Sequence, residues 1–338
     1  MPELYPLLLS PEFHERVWGS RDLAPIYDRR IAPEEPPIGE AWLTGDDCKV
    51  ANGPLQGKSL HELTQILGEK LIGPRAGQQR FPLLIKFLFP QEKLSVQVHP
   101  DDDGARQLGQ ACGKTECWYV LKADPGAQVG LGLIAGTTRE QLKQAIHETR
   151  AEKLLNWIDI HPGDLIYVDA GTVHAIGPGA VIVETQQNSD TTFRLYDYGR
   201  PRELHVEQGL SATKEKTNAG KLNPKSLSNG DQQLVVSPCF AIEKWHLEKP
   251  RHLATSTSPT ILVALNGCGV VESRGNAPVT FAKGDAVVLP AALGDYELRP
   301  QWQLECLSMQ LPSAEVAEPE GKIGFTSIPV LNRKVGRT

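Results

Sequence analysis

The sequence lacks the features that mark several classes of protein. No apolar run in its 338 residues approaches the roughly 18–20 residues that a membrane-spanning helix needs. Lys and Arg (35) are outnumbered by Asp and Glu (41), which gives a formal net charge of −6. This charge argues against a broad nucleic-acid or anionic-membrane surface, although it still allows a small basic pocket for one phosphate group. We therefore expect no nucleic-acid partner and no membrane partner.

Paired cysteines and a secretion signal are also missing. The cysteines have no CxxC spacing and no nearby histidine that would indicate a zinc knuckle or a disulfide framework. The first residues include the acidic Glu3, contain no basic residue, and have only a short apolar run before Ser10, unlike a signal peptide. We therefore expect a cytoplasmic protein with reduced thiols. The six cysteines are Cys48, Cys112, Cys117, Cys239, Cys268 and Cys306.

The length exceeds that at which a single hydrophobic core usually keeps growing, so two domains are expected. Two helices are predicted from capping-box spacings. The first begins after Ser59, with Glu62 three residues on, and the second covers Thr138–Trp157, with Gln141 three residues after its first residue.

Strand patterns dominate the rest of the chain. In Leu94–His99 apolar and polar residues alternate, so that Ser95, Gln97 and His99 would share one face of a strand. Many short strands separated by turns indicate a sandwich or a barrel. The other strand segments are Leu83–Phe89, Asp164–Val168, Val181–Glu184, Thr260–Leu265, Val270–Glu272, Ala286–Leu289 and Leu304–Met309.

A polar segment separates two halves that resemble each other. Residues 211–235 are rich in Lys, Asn, Ser and Gly, which is linker composition. The pattern of Gly163–His174 is repeated in Gly284–Asp295: each begins with a Gly-Asp turn, continues with a short apolar strand and ends in another turn. A similar relation holds between residues 118–121 and 262–265. The repeat predicts a duplicated barrel.

Four residues have the chemistry of a metal site. Gln97 and His99 share a strand face, Glu116 begins another strand segment, and His174 follows a glycine turn. Two imidazoles, a carboxylate and an amide oxygen suit zinc or a similar divalent ion and leave positions open for water or substrate. The residues taken one by one also allow a structural histidine, a solvated glutamate and a hydrogen-bonding glutamine.

Several longer motifs can be compared with those of known protein families. The segment Gly163-x5-Asp169-x-Gly171-x2-His174 is close to the second cupin motif, with Asp169 where proline is usual. The first cupin motif departs further: Gln97 stands in place of its first histidine, and its glutamate comes much later, at Glu116. This departure resembles the type I phosphomannose isomerases, a family of cupins. The matching segments are 17–19 (VWG), 38–42 (IGEAW), 94–102 (LSVQVHPDD), 113–119 (GKTECWY), 171–175 (GTVHA) and 184–197 (ETQQNSDTTFRLYD).

The resemblance implies a mainly β fold with two jelly-roll (cupin) barrels and a few short helices. It implies a catalytic domain over 1–212 with an N-terminal extension, a linker over 213–235, and over 236–338 a degenerate cupin domain without a metal site, where Asp295 stands in the place of His174. The implied reaction interconverts mannose-6-phosphate and fructose-6-phosphate through a cis-enediol. One divalent metal per chain, Zn²⁺, would serve it, in a monomer or homodimer.

The resemblance also implies roles for individual residues. The implied metal ligands are Gln97, His99, Glu116 and His174. Arg194 would stabilise charge on the reacting oxygens, and the proton-transferring base is left open between Lys114 and Glu184. The residues implied for phosphate binding are Ser95, Arg200 and Lys86.

Two other functions remain open at this point. A cupin of different chemistry, such as a dioxygenase, an epimerase or an isomerase of another sugar phosphate, is one, although an iron dioxygenase usually has the His-x-His pattern that Gln97 breaks. A non-catalytic sugar-phosphate-binding cupin is the other, since a fold does not fix a function. The complete set of ligand types together with Arg194 favours the isomerase.

Overall fold

The computed structural model describes residues 3–74, 80–255 and 257–312. Within these residues the strands form three sheets in which every pair of named strands is antiparallel. This confirms the prediction of a mainly β fold. We call the sheets central, ligand and C-terminal after their positions and contents.

The central sheet and the ligand sheet face each other in the first half of the chain. The seven strands of the central sheet are, in spatial order, β13 (Gly220–Leu222), β9 (Leu165–Val168), β6 (Glu116–Ala123), β11 (Ala180–Gln187), β4 (Leu83–Leu88), β3 (Ile38–Thr44) and β2 (Glu12–Ser20). The five strands of the ligand sheet are β12 (Phe193–Tyr196), β5 (Val96–Val98), β10 (His174–Ile176), β7 (Gln128–Leu133) and β8 (Leu155–Asp159).

The C-terminal sheet has nine strands and is bent. Its two longest strands have register shifts where they pair with each other, and the sheet bends around a core of its own. The strands are β1 (Leu7–Leu9), β20 (Ala286–Leu289), β18 (Thr260–Ser273), β21 (Asp295–Gln310), β16 (Ala241–Leu247), β15 (Gln232–Val236) and β14 (Lys225–Ser226), with β17 (Arg251–Ala254) beside β21 and β19 (Val279–Ala282) beside β18.

The helices are few and short, and in the described part of the chain none is long and apolar enough to span a membrane. They are α1 (Leu60–Leu67), α2 (Glu69–Ile72), α3 (Asp102–Gln107), α4 (Arg139–His147) and α5 (Val206–Ala212), with a 3₁₀ helix at Ala151–Leu154.

Both predicted helix starts are confirmed, but the second helix is shorter than predicted. Ser59 and Thr138 cap α1 and α4, each through a reciprocal capping box. The expected extension of the second helix to Trp157 is wrong, because α4 ends at His147 and Thr149 takes a left-handed conformation with φ of 54°. Residues 155–159 then pair with β7, and this tertiary pairing overrides their local helical pattern.

The central sheet is buried on both faces. One face packs against the ligand sheet, with Trp118 and Val129 in the shared core. The other face packs against the C-terminal sheet, where Phe87 lies in one core with Ile261. All six residues of β4 are therefore buried, and Lys86 is among them. The outer face of the ligand sheet is covered by α4 and α5 through a further apolar cluster.

The two halves repeat the same backbone pairing. Trp118 lies opposite Ile166 between β6 and β9, and Leu262 lies opposite Val287 between β18 and β20, in the register that the sequence repeat predicts. The amide of Gly163 donates to the carbonyl of Val120 at 2.8 Å, and the amide of Gly284 donates to that of Ala264 at 3.0 Å. These matched contacts support a duplicated jelly roll.

The chain crosses between the two halves at both ends of the first one. The N-terminal strand β1 pairs with β20 in the C-terminal sheet, with Leu8 opposite Val287. The segment 213–235, which we predict as a linker, contains β13, β14 and the start of β15, so it contributes to the central sheet and then to the C-terminal sheet. The division into domains at 212 and 236 remains a prediction.

Candidate active site

Three of the predicted metal ligands meet between the central and ligand sheets. Nε2 of His99 lies 3.4 Å from Oε2 of Glu116, and Nε2 of His174 lies 3.3 Å from Oε1 of the same carboxylate. One ligand atom from each side chain falls within 4.8 Å of the others, and all three residues are buried. Donor atoms about 3.3 Å apart suit a shared ion with bonds of ~2.1 Å.

Backbone carbonyls orient both imidazoles. Nδ1 of His99 lies 2.9 Å from the carbonyl oxygen of Thr191, and Nδ1 of His174 lies 2.9 Å from that of Thr172. A carbonyl can only accept, so each Nδ1 carries the hydrogen and each Nε2 keeps its lone pair. Both Nε2 atoms lie beside Glu116, as in metal sites whose histidine ligands are oriented by a hydrogen bond from the other ring nitrogen.

Gln97 completes the set from the neighbouring strand. It lies directly opposite His174 in the pairing of β5 with β10, and its Nε2 is 3.2 Å from Nε2 of His174. Its Oε1 accepts a hydrogen bond from the Ser95 hydroxyl at 3.2 Å. A half turn of the amide exchanges its oxygen and nitrogen, which would place the oxygen beside the imidazole as a fourth ligand.

The polar atoms at the centre are left for an ion. Among the described residues, Nε2 of His99 and both carboxylate oxygens of Glu116 are buried without a hydrogen-bond partner. Burial lowers the pKa of His174 to about 4 and that of His99 well below its usual range, so both are neutral at pH 7. Burial and the nearby Glu184 raise the pKa of Glu116. A divalent cation would balance this carboxylate and use both lone pairs, so the residues fit a metal.

Arg194 lies beside the ligands in the same sheet. It is opposite Gln97 in the pairing of β12 with β5, so both side chains start from the inner face of the sheet. Its Nη1 donates to the carbonyl of Glu203 at 2.8 Å. Within the described residues its Nε is buried without a partner, which leaves a donor for another acceptor.

Lys114, Lys86 and Glu184 extend the site along the central sheet. Nζ of Lys114 lies 3.5 Å from Oε2 of Glu116. Glu184 is opposite Lys86 in the pairing of β11 with β4, with Nζ and Oε2 3.2 Å apart, and it also accepts from the Trp118 indole at 3.0 Å. Although burial alone would raise it, Lys86 and Lys114 lower the pKa of Glu184, which is therefore ionised.

Arg200 is held outside this cluster. Its Nη2 donates to Oδ1 of Asp197 at 2.8 Å and to the carbonyl of Lys93 at 2.7 Å. Arg202 binds both oxygens of the same carboxylate at 2.7 Å. Asp197 thus fixes two guanidinium groups at the end of β12.

The sequence reasoning missed a second, partly buried ion pair next to Lys86. Arg16 binds both oxygens of Glu40 at 3.0 and 3.1 Å, the Trp42 indole donates to Glu40 at 2.6 Å, and Nζ of Lys86 is 3.7 Å away. Although burial alone would raise it, Lys86 and Arg16 lower the pKa of Glu40 to about 2. A glutamate between Gly39 and Ala41 in an apolar strand was the available signal.

Together, a duplicated jelly roll and, between its sheets, a buried histidine-carboxylate cluster that could hold a metal ion define a cupin-type enzyme. Comparison with family models agrees with this class. Residues 7–121 match "Phosphomannose isomerase type I, catalytic domain", and residues 231–305 match "Mannose-6-phosphate isomerase, cupin domain".

Individual relatives match over almost their whole length. The chain is 35% identical to the mannose-6-phosphate isomerase ManA of Bacillus subtilis, over 90% of this chain and 99% of that protein. It is 36% identical to a mannose-6-phosphate isomerase of Streptococcus mutans, over 89% and 99%. The crystal structure of a mannose 6-phosphate isomerase from Bacillus subtilis superposes with a TM-score of 0.80 at 33% identity, covering 89% and 99%. The chain belongs to the type I phosphomannose isomerase family and is an enzyme of the isomerase class.

Proposed function

We propose that this chain interconverts mannose-6-phosphate and fructose-6-phosphate through a cis-enediol intermediate, with one divalent metal per chain. The observation that carries this proposal is the buried cluster of two neutral imidazoles and a carboxylate, flanked by Gln97 and Arg194, in a member of this family. The reaction moves a proton between carbons 1 and 2 of the open-chain sugar. It therefore needs a base and stabilisation of the charge that develops on the carbonyl oxygen.

We propose Zn²⁺ as the ion, held by Gln97, His99, Glu116 and His174. Nitrogen and oxygen donors without a thiolate suit zinc at a site that keeps a position open. When bound, the ion supplies Lewis acidity that stabilises negative charge on the reacting sugar oxygens. These donors are shielded from bulk solvent, since the side chains of His99, Glu116 and His174 are each at most 2% exposed.

Arg194 would stabilise the same negative charge on the sugar oxygens from the side of the ligand sheet. Its guanidinium is always charged, and the free Nε is a donor for a sugar hydroxyl or an enediolate oxygen. Its Nη1 bond to the carbonyl of Glu203 limits how far the group moves. We therefore propose that Arg194 is a catalytic residue that orients the reacting end of the sugar.

Lys114 and Glu184 are the proposed proton-transferring groups. Glu184 is ionised, because its neighbouring lysines hold its pKa low, and an ionised carboxylate can accept a proton. Lys114 is buried and lies beside the ligand Glu116. One of these groups would remove the proton and return it to the neighbouring carbon.

The substrate phosphate is proposed to bind Ser95, Lys86 and Arg200. Ser95 and Lys86 are each 3% exposed and lie on the two sheets that enclose the cluster. Charge-assisted donors of this kind are what a phosphate dianion requires. Arg200 would contribute from the end of β12, where Asp197 holds it.

The remaining assignments follow the same proposal. The catalytic domain is assigned to 1–212 and the domain without a metal to 236–338, with 213–235 between them. We propose a cytoplasmic enzyme that acts as a monomer or homodimer on a small-molecule sugar phosphate. In the structure all six cysteines, which lie within its described residues, are free thiols and form no disulfide.

The test is conversion of mannose-6-phosphate to fructose-6-phosphate by purified protein that has been chelated and then reloaded with Zn²⁺. Turnover should disappear with chelation and return with the metal. No turnover by protein that carries one ion per chain would overturn the proposal. Glucose-6-phosphate and other sugar phosphates, assayed in parallel, would then identify an isomerase of another substrate, and binding without turnover would identify a sugar-phosphate-binding protein.

A further inference from the structure

Alternating charges lead from the edge of the central sheet to its centre. Arg16 binds Glu40 through two hydrogen bonds, Glu40 lies 3.7 Å from Lys86, and Lys86 lies 3.2 Å from Glu184. The side chain of Arg16 is 28% exposed, whereas that of Lys86 is 3% exposed. The series thus connects a partly exposed guanidinium with a buried ammonium group beside the proposed substrate site.

The backbone around Arg16 is built to bring its side chain across β3. A Cβ on Gly39 would lie 2.5 Å from Cβ of Arg16 and 2.8 Å from the ring of Trp18. A Cβ on Gly19 would lie 2.4 Å from the backbone carbon of Ile38. Only glycine at these two positions allows β2 to approach so closely, and the register of β2 with β3 shifts at this point. The fork between Arg16 and Glu40 follows from this close approach.

The charge balance around Lys86 depends on Arg16. Within this series Glu40 and Glu184 are both ionised, so the two carboxylates outnumber the ammonium group of Lys86. Lys114, outside the series, adds a positive charge that acts on Glu184. Arg16 adds the second positive charge and takes both oxygens of Glu40 at hydrogen-bond distance. Lys86 consequently lies nearer to Glu184 than to Glu40. Without Arg16, the three remaining members of the series would carry one net negative charge beside an arriving phosphate.

We propose that Arg16 is a positioning residue that neutralises Glu40 and thereby leaves Lys86 available to the phosphate of the substrate. Arg16 itself would not touch the reacting atoms. This inference rests on the proposed function, because it names the residue that tunes the phosphate end of the same site.

The test compares Arg16→Gln, Glu40→Gln and the double variant. Arg16→Gln should raise both KM for mannose-6-phosphate and the dissociation constant for inorganic phosphate about tenfold, the order expected of one partly screened charge a few ångströms away. Its kcat should change less than about twofold, since a uniform binding term moves KM alone. The double variant removes one charge of each sign, so its phosphate affinity should return close to that of the unchanged protein.

Further variants separate this role from a loss of folding. Arg16→Lys keeps the charge without the fork and should recover most of the phosphate affinity. Arg30→Gln is the matched control, because Arg30 is 86% exposed and pairs only loosely with Asp22 at 3.8 Å. Metal content and circular dichroism confirm that each variant is folded.

Two results would overturn the inference. One is unchanged phosphate affinity in folded Arg16→Gln, and the other is a double variant that is as weak as the single one. Because inorganic phosphate binding is measured without turnover, the proposed function is tested separately. If the unchanged protein binds phosphate with this pattern but converts no mannose-6-phosphate, the role of Arg16 stands and the proposed reaction fails.

Discussion

Gln97 and His174, 77 positions apart in sequence, are directly paired across two strands of three residues each. The pairing of β12 with β5 brings Arg194 to the other side of Gln97. Strand register therefore sets the geometry of the site, and a slip of one residue would turn each of these side chains to the outer face. The buried apolar residues on both faces of the ligand sheet make such a slip costly.

His174→Ala should remove metal and activity together. The substitution deletes one of three closely spaced donors. Affinity for Zn²⁺ should therefore fall by more than the ~10–100-fold loss seen when a hydrogen-bond partner of a metal ligand is mutated. Metal content by inductively coupled plasma mass spectrometry, together with turnover, checks this. His252→Ala, at a side chain that is 86% exposed, and Asp295→Ala, at the corresponding position of the second half, should keep full metal content. A His174→Ala protein with full metal content would show that the ligand assignment is wrong.

Arg194→Ala should lower kcat at least ~100-fold while metal content stays intact, because loss of a donor to a developing oxyanion costs about that much. Arg194→Lys should recover only part of the loss, since an ammonium group cannot reproduce the planar fork. Arg106→Ala, at an exposed side chain of α3, is the control. Normal turnover by folded Arg194→Ala would remove its catalytic role.

Exchange with solvent distinguishes the two proposed bases. If Glu184 transfers the proton, Glu184→Gln should slow both isomerisation and incorporation of deuterium from solvent at carbon 2 by ~10²–10⁴-fold. Lys114→Met should then slow isomerisation with a smaller effect on exchange. The reverse order of the two exchange rates would assign the base to Lys114. Metal content needs to be checked in both variants, since Lys114 contacts Glu116.

Glu40 should make folding sensitive to acid. Its pKa falls from 4.5 to about 2 in the folded protein, so the folded state binds a proton less readily than the unfolded state. The resulting stabilisation, roughly 3 kcal/mol, is fully present above pH 4.5 and is lost as the pH falls towards 2.

Urea unfolding of the unchanged protein and of Glu40→Gln between pH 7 and pH 3 checks this prediction. The difference in free energy of unfolding should be largest near pH 7 and shrink below pH 4.5. Glu34→Gln, at an exposed position, should show no such convergence. A difference for Glu40→Gln that stays constant with pH would contradict the assigned shift.

Local patterns were enough to predict much of the fold and to place two of the candidate ligands together. Alternation in residues 94–99 placed Gln97 and His99 together, and capping residues located the starts of α1 and α4. The repeat of Gly163–His174 in the second half predicted that β9 and β20 have equivalent places. In the structure β9 pairs with β6 in the first half, and β20 pairs with β18 in the second. These features depend on neighbours within a few residues, which the sequence displays directly.

Features that depend on distant pairing could not be predicted in this way. The end of α4 depends on the pairing of β8 with β7, although residues 155–157 continue a helical pattern. The ion pair of Arg16 with Glu40 depends on a shifted register between β2 and β3; the glutamate in an apolar strand signals a buried charge but does not identify its partner. The pairing of β1 with β20 joins segments from nearly opposite ends of the chain.

That last pairing has a consequence for synthesis on the ribosome. Leu7–Leu9 is translated long before its partner Ala286–Leu289, which follows only after both facing sheets of the first half are complete. At the usual ~5–20 residues per second, the apolar N-terminal strand waits for tens of seconds before it is covered. During that interval the edge of the strand that pairs with β20 stays open, although Leu9 can already bridge to Val50 on the other side. The final sheet closes only when this early strand meets its late partner.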